Sequence, residues 1–255
     1  MSMYLTTEDY PDRSQWLDQL ENADAIAVML DNQAGAISAL KQASAALDAA
    51  IAAMAERLGA SSSGRIIYAG AGTSARIGVQ DGVELTPTFN WPQERLDYVI
   101  AGGMGALMQS VEGAEDHADA GQTAVTNAGI NDKDVVIGLA ASGTTAFTIS
   151  VLTAARQQGA LTIGISNNRQ TPLLDAAEYP VLLETGGEAL AGSTRLKAGT
   201  AQKICLNTMS TLVMARLGRI KNGLMVAMKP TNAKLVRRKE QMDEYLAKLS
   251  DHMTD

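Results

Sequence analysis

Cysteine is almost absent. Cys205 is the only one in 255 residues, so no disulfide can form within the chain, and a reducing, cytoplasmic setting is expected. Histidine is nearly as scarce: His117 and His252, with one cysteine, cannot furnish the ligands of an ordinary zinc site. Aromatic residues make up 4% of the chain against 46% apolar residues, which favours closely packed, alanine-rich helices over an aromatic-rich β-sandwich. No run of eighteen apolar residues occurs, so no helical membrane span is expected. Residues 1–12 carry acids and no basic stretch ahead of an apolar one, which argues against a secretory leader. Positive charge is in deficit as well. A net charge of −7 disfavours a nucleic-acid partner, yet leaves room for a small phosphorylated ligand held by local backbone N–H groups. The sequence also lacks a G-x-S-x-G elbow and a P-loop lysine pattern.

What the chain does contain is an alternation of two periodicities. Ile26, Met29, Leu30, Ile37, Leu40, Leu47, Ile51, Met54 and Leu58 recur at helical spacing and predict one or two long helices ending at Gly59. Short apolar runs follow at Ile66–Ala69, Tyr98–Ala101, Val135–Leu139, Leu161–Ile165 and Val181–Leu183, most leading through a loop into a helical pattern. Continuous apolar strands separated by helices imply a parallel sheet covered on both faces. The predicted fold is therefore α/β, a doubly wound parallel sheet of about five strands. Residues 1–58 form an N-terminal helical segment packing on the core, 59–222 the core domain, and 223–255 a charged helical tail. Ala198–Leu217 reads as a further helix, and Arg237-Arg238-Lys239 as a solvated helix face rather than a binding patch.

In such a sheet, ligands sit beyond the carboxyl ends of the strands. Two of these ends are rich in small and hydroxyl-bearing residues: Gly70-Ala71-Gly72-Thr73-Ser74 after the first strand, and Ala140-Ala141-Ser142-Gly143-Thr144-Thr145 after the third. Gly72, Thr73, Ser74, Ser142, Gly143, Thr144 and Thr145 are candidates for holding a phosphate monoester, because tight turns expose N–H groups, hydroxyls add donors, and the following helix adds partial positive charge. The competing reading is helix capping. The first loop also fits G-x-G-x-x-A, but the second strand ends in Ala101-Gly102-Gly103 with no ribose-binding acid, so dinucleotide binding ranks low. Proton transfer is left to carboxylates. Glu84, in Asp81–Pro87, and Glu115, in a glycine-interrupted helical stretch, are the candidates; a surface position is the ordinary alternative for either.

These segments, with Val111-Glu112-Gly113-Ala114-Glu115-Asp116, Gly192–Lys203 and Thr231–Leu235, follow one another as in the N-acetylmuramic acid 6-phosphate etherases, which the chain resembles from about Arg65 to Leu235. The stretch 192–203 is the most diagnostic, since generic sugar isomerase (SIS) domains lack it. The resemblance implies an SIS-type fold, a homodimer, and cleavage of the lactyl ether of N-acetylmuramic acid 6-phosphate to N-acetylglucosamine 6-phosphate and D-lactate in cell-wall sugar recycling. It implies no metal and no redox cofactor. It makes Glu84 similar to the family's general acid and Glu115 to its second catalytic carboxylate, and it brings Lys197 into the substrate-binding set. Lys197, Lys203 and Asn232 could equally serve as ion-pair or capping residues. The pattern departs from the family at Ala75, at Gly82-Val83, at Ala146 and at Leu196. An aldose–ketose isomerase of the same fold and a non-catalytic sugar-phosphate regulator are the rival readings.

Overall fold

Five short strands form one parallel sheet in the computed structural model, which describes residues 4–109, 111–230 and 233–251. They are β1 (Ile66–Gly70), β2 (Leu96–Ile100), β3 (Val135–Leu139), β4 (Leu161–Ser166) and β5 (Tyr179–Leu182), in the order β2-β1-β3-β4-β5. The three inner strands are the most apolar in sequence, and every residue of each is buried. That is what a sheet with helices on both faces requires. The alternation along each strand then separates two cores. Ile66, Tyr68, Val135, Ile137 and Leu139 point to one side, while Ile67, Ala69 and Val136 point to the other.

The first side is covered by α2 (Ser44–Gly59), α3 (Gly72–Phe89) and α7 (Lys197–Arg216), with Met54, Leu85 and Met209 among the interlocking side chains. The second is covered by α4 (Ala118–Asn127), α5 (Ala146–Gln157) and α6 (Pro172–Ala176) through Val125, Val151 and Leu173. The N-terminal pattern divides into α1 (Asn22–Gln42) and α2 at Ala43. α1 packs on α7, outside the sheet layer. Trp16, Leu17 and Leu20 fall in and around short 3-10 turns rather than at the start of a helix. α8 (Ala233–Asp251) follows the segment 218–230. Asn232 and His252 lie outside the described residues. Among the described residues, no helix is long and apolar enough to cross a membrane.

Candidate active site

The chain passes from β1 outward to β2 and then returns across β1 to start β3, so β1 and β3 flank the point where the winding reverses. Two loops diverging from adjacent strand ends leave a crevice there. The two Gly/Ser/Thr loops follow these two strands, whose last residues, Gly70 and Leu139, are register partners. The capping alternative fails on geometry. The N-cap of α3 is Ala71, whose methyl group can accept no hydrogen bond, and Thr145 at the N-cap of α5 makes no side-chain cap bond. The first-turn N–H groups of both helices therefore remain available at their positive ends. Ser142 Oγ accepts from Thr144 N at 3.2 Å and Thr144 Oγ1 at 3.1 Å, which folds the second loop back on itself. Gly143 adopts φ +73°, and a Cβ there would run into Thr171 Oγ1 and Ser166 Oγ. Only glycine lets this turn sit so close to β4. Thr73 is half-buried, Ser74 is buried in the first turn of α3, and the side chain of Thr144 also faces a groove beside α4.

A cavity of about 260 Å³ opens at the first loop. Its walls include Ala71 and Gly72 from the loop, Arg76 one turn into α3, and Glu112 and Glu115 from the connection after β2. Glu115 is exposed to this space in a 3-10 turn, Ala114–Asp116, rather than in a helix. Gly113, at φ +72°, turns the chain into it. Arg76 donates from Nε to the Leu107 carbonyl at 2.8 Å and from Nη2 to the Ala106 carbonyl at 3.0 Å, tying the connection after β2 to α3. Glu84 does not share this cavity. It is exposed on α3, twelve residues beyond Gly72, which at the helical rise is about 18 Å along the axis. His117 is exposed at the N-cap of α4 and is also absent from the cavity wall.

Lys197 begins α7 with its side chain buried, donating from Nζ to the Gly187 carbonyl at 2.6 Å and packing against Gly35 of α1. Burial pulls its pKa down, with Glu188 acting in the opposite sense. Glu188 was not singled out in the sequence. It is 2% exposed, and its two carboxylate oxygens accept from the backbone of Lys197 and of Ala198, each at 2.9 Å. It thus caps α7 from outside the helix. Asp81 was passed over too. On α3, it accepts from Tyr68 Oη at 2.6 Å, Asn207 Nδ2 at 2.7 Å and Ser210 Oγ at 3.1 Å. A carboxylate amid the apolar positions of α3 was the available signal for it.

The fold, with two Gly/Ser/Thr loops at its switch point, defines an SIS-type α/β domain. Residues 49–156 match the family described as the glucokinase regulatory protein N-terminal SIS domain. Two solved structures share the fold at 16% identity. A Bacteroides fragilis protein described as a phosphosugar isomerase involved in capsule formation has a TM-score of 0.57, covering 80% of this chain and 95% of that one. A Francisella tularensis phosphoheptose isomerase has a TM-score of 0.53, covering 77% and 100%. Much closer in sequence is an N-acetylmuramic acid 6-phosphate etherase from Deinococcus radiodurans, 48% identical over 94% of this chain and 78% of the relative. Etherases of Francisella tularensis subsp. novicida and Lactococcus lactis are 42% and 41% identical, each over 93% of this chain and 80% of theirs. The chain belongs to the N-acetylmuramic acid 6-phosphate etherase family.

Proposed function

We propose that the chain acts on N-acetylmuramic acid 6-phosphate through the two carboxylates Glu115 and Glu84. The protein is a carbon–oxygen lyase that converts this sugar phosphate and water to N-acetylglucosamine 6-phosphate and D-lactate. The observation that carries the assignment is the 48% identity to an etherase across 94% of the chain. In the open-chain sugar, the C1 aldehyde acidifies the C2 proton. Glu115 removes it, electrons move toward C1, and the C3–O bond breaks as Glu84 protonates the departing lactyl oxygen. Water then adds at C3 of the unsaturated aldehyde, and C2 regains a proton. One carboxylate starts ionised and the other protonated. The loops bearing Gly72, Thr73, Ser74, Ser142, Gly143, Thr144 and Thr145 hold the phosphate, and Lys197 braces α7 beside them.

The working unit is a cytoplasmic homodimer, and Glu84 reaches the Glu115 cavity from the partner copy. Three features support this. Glu84 stands three turns along α3 from its own first loop and is absent from the wall of the Glu115 cavity. Val83 beside it is 50% exposed. Ile26, Leu30 and Ile37 form an exposed apolar stripe along α1, next to an apolar groove of about 370 Å³ between α1, α2 and α7. The single cysteine fits the reducing compartment.

The test is incubation with N-acetylmuramic acid 6-phosphate, with enzymatic assay of D-lactate and chromatography of the sugar. Stoichiometric lactate and N-acetylglucosamine 6-phosphate are expected. A ketose phosphate without lactate would establish the isomerase reading instead, and binding without turnover would establish the regulator.

A further inference from the structure

The etherase substrate carries two anions. Its phosphate sits on C6, while its lactyl carboxylate hangs from C3 through the ether oxygen, next to C2. The Gly/Ser/Thr loops serve the phosphate, which leaves the carboxylate without a reader.

We propose that Arg76 binds the lactyl carboxylate and thereby separates the substrate from its own product. This rests on the etherase reading and deepens it. Among the described residues, Arg76 is the one cationic side chain on the wall of the cavity that Glu115 faces. If Glu115 works at C2, the carboxylate tethered to C3 falls in the same space, whereas the phosphate lies at the far end of the sugar. The guanidinium is oriented in advance, because Nε and Nη2 are fixed to the carbonyls of Leu107 and Ala106. Its Nη1 donors make no hydrogen bond to the described residues, and none of the ion pairs among them involves Arg76. A half-buried arginine held by two neutral carbonyls is a cation awaiting an anion. The need is sharpened by charge: Glu112 and Glu115 would repel a ligand carboxylate entering their cavity, and Arg76 offsets part of that repulsion. A planar two-donor edge suits a carboxylate better than an ammonium does. The product, N-acetylglucosamine 6-phosphate, has no lactyl group and gains nothing from this contact.

The test compares two reactions of one enzyme: lactate release from N-acetylmuramic acid 6-phosphate, and solvent deuterium exchange at C2 of N-acetylglucosamine 6-phosphate. Arg76→Gln should lower kcat/KM for lactate release about 10- to 100-fold, mainly through KM, and Arg76→Lys should recover only part of it. Exchange into the lactyl-free sugar should fall by less than about 3-fold. Equal losses in the two reactions would overturn the proposal and make Arg76 a phosphate or structural residue. A second arm needs no variant. A substrate analogue with a carboxamide in place of the lactyl carboxylate should lose about 10- to 100-fold with the unmodified enzyme. Unchanged turnover of that analogue would overturn the proposal. No lactate from the natural substrate with the unmodified enzyme would instead sink the etherase reading.

Discussion

Asp81 lies three residues before Glu84 on α3, 4% exposed, and accepts hydrogen bonds from β1 and from two residues of α7. Removing it strands the buried Tyr68 hydroxyl and leaves the half-buried Asn207 amide without its acceptor. Asp81→Ala should cost about 3 kcal/mol in urea unfolding, and Asp81→Asn about 1 kcal/mol. Equal stability of all three proteins would mean that water replaces the carboxylate. The rings of Tyr68 and Tyr98 stack above Gly82, where a Cβ would come within 2.6 Å of Tyr98 Oη. That explains the glycine at position 82, while Val83 next to it is exposed. Burial, with Asp81 nearby, pushes the Tyr98 phenol up to about 12 and raises Tyr68 well above its ordinary 10.0. Below pH 10.0 both folded and unfolded chains keep these protons. Above it the unfolded chain releases protons that the folded one retains, so stability falls as pH rises from 10.0 toward 12. Tyr98→Phe should flatten that fall in urea midpoints measured across the window, at little cost near neutrality, because the Tyr98 hydroxyl has no hydrogen-bond partner among the described residues. An unaltered pH slope would count against this. Beyond the carboxylate set among the apolar positions of α3, this network was not legible beforehand: its partners are separated by as many as 129 positions, and pairing at that range leaves no local pattern.

At the scale of elements, the strands were the most legible feature, because burial on both faces forces continuous apolar runs at β1, β3 and β4. Their exact ends were less so. β2 begins at Leu96 and β5 at Tyr179, where half-buried edge residues blur the pattern. The Glu115 turn resembled a helix because the helical stretch of α4 starts only three residues later. The Glu188 cap of α7 was invisible for a different reason: it comes from nine residues upstream of the helix, outside the reach of any local capping signature. The two Gly/Ser/Thr loops at the strand ends were legible as composition, and the structure adds why the second must hold its glycine. Gly143 and Gly103 have nearly the same φ, +73° and +74°, but a Cβ at Gly103 meets nothing within 4 Å. Gly103→Ala should therefore cost only backbone strain, about 1 kcal/mol, and Gly143→Ala should cost at least about 2 kcal/mol more, by adding a clash against β4. Thermal and urea unfolding of the pair would show it; matched losses would mean that the loop yields freely.

For the whole molecule, the proposed reaction has Glu115 and Glu84, which share no cavity wall within one chain, acting together on one sugar. The apolar stripe of α1 and the exposed Val83-Glu84 corner are the surfaces that the proposed homodimer would bury. If Glu84 crosses that interface, mixing inactive Glu84→Gln and Glu115→Gln proteins after subunit exchange should restore about one quarter of the native activity, since half the dimers are hybrids with one intact site each. No recovery from hybrids shown to form would place both acids in one chain. The division of labour itself is tested most directly by following C2 deuterium exchange into N-acetylglucosamine 6-phosphate by NMR, alongside lactate release, for each single variant. Glu84→Gln should stop lactate release while leaving exchange running, and Glu115→Gln should stop both, each loss being at least about 10²-fold. Exchange at the parent rate in Glu115→Gln, or lactate release retained by both variants, would contradict the account.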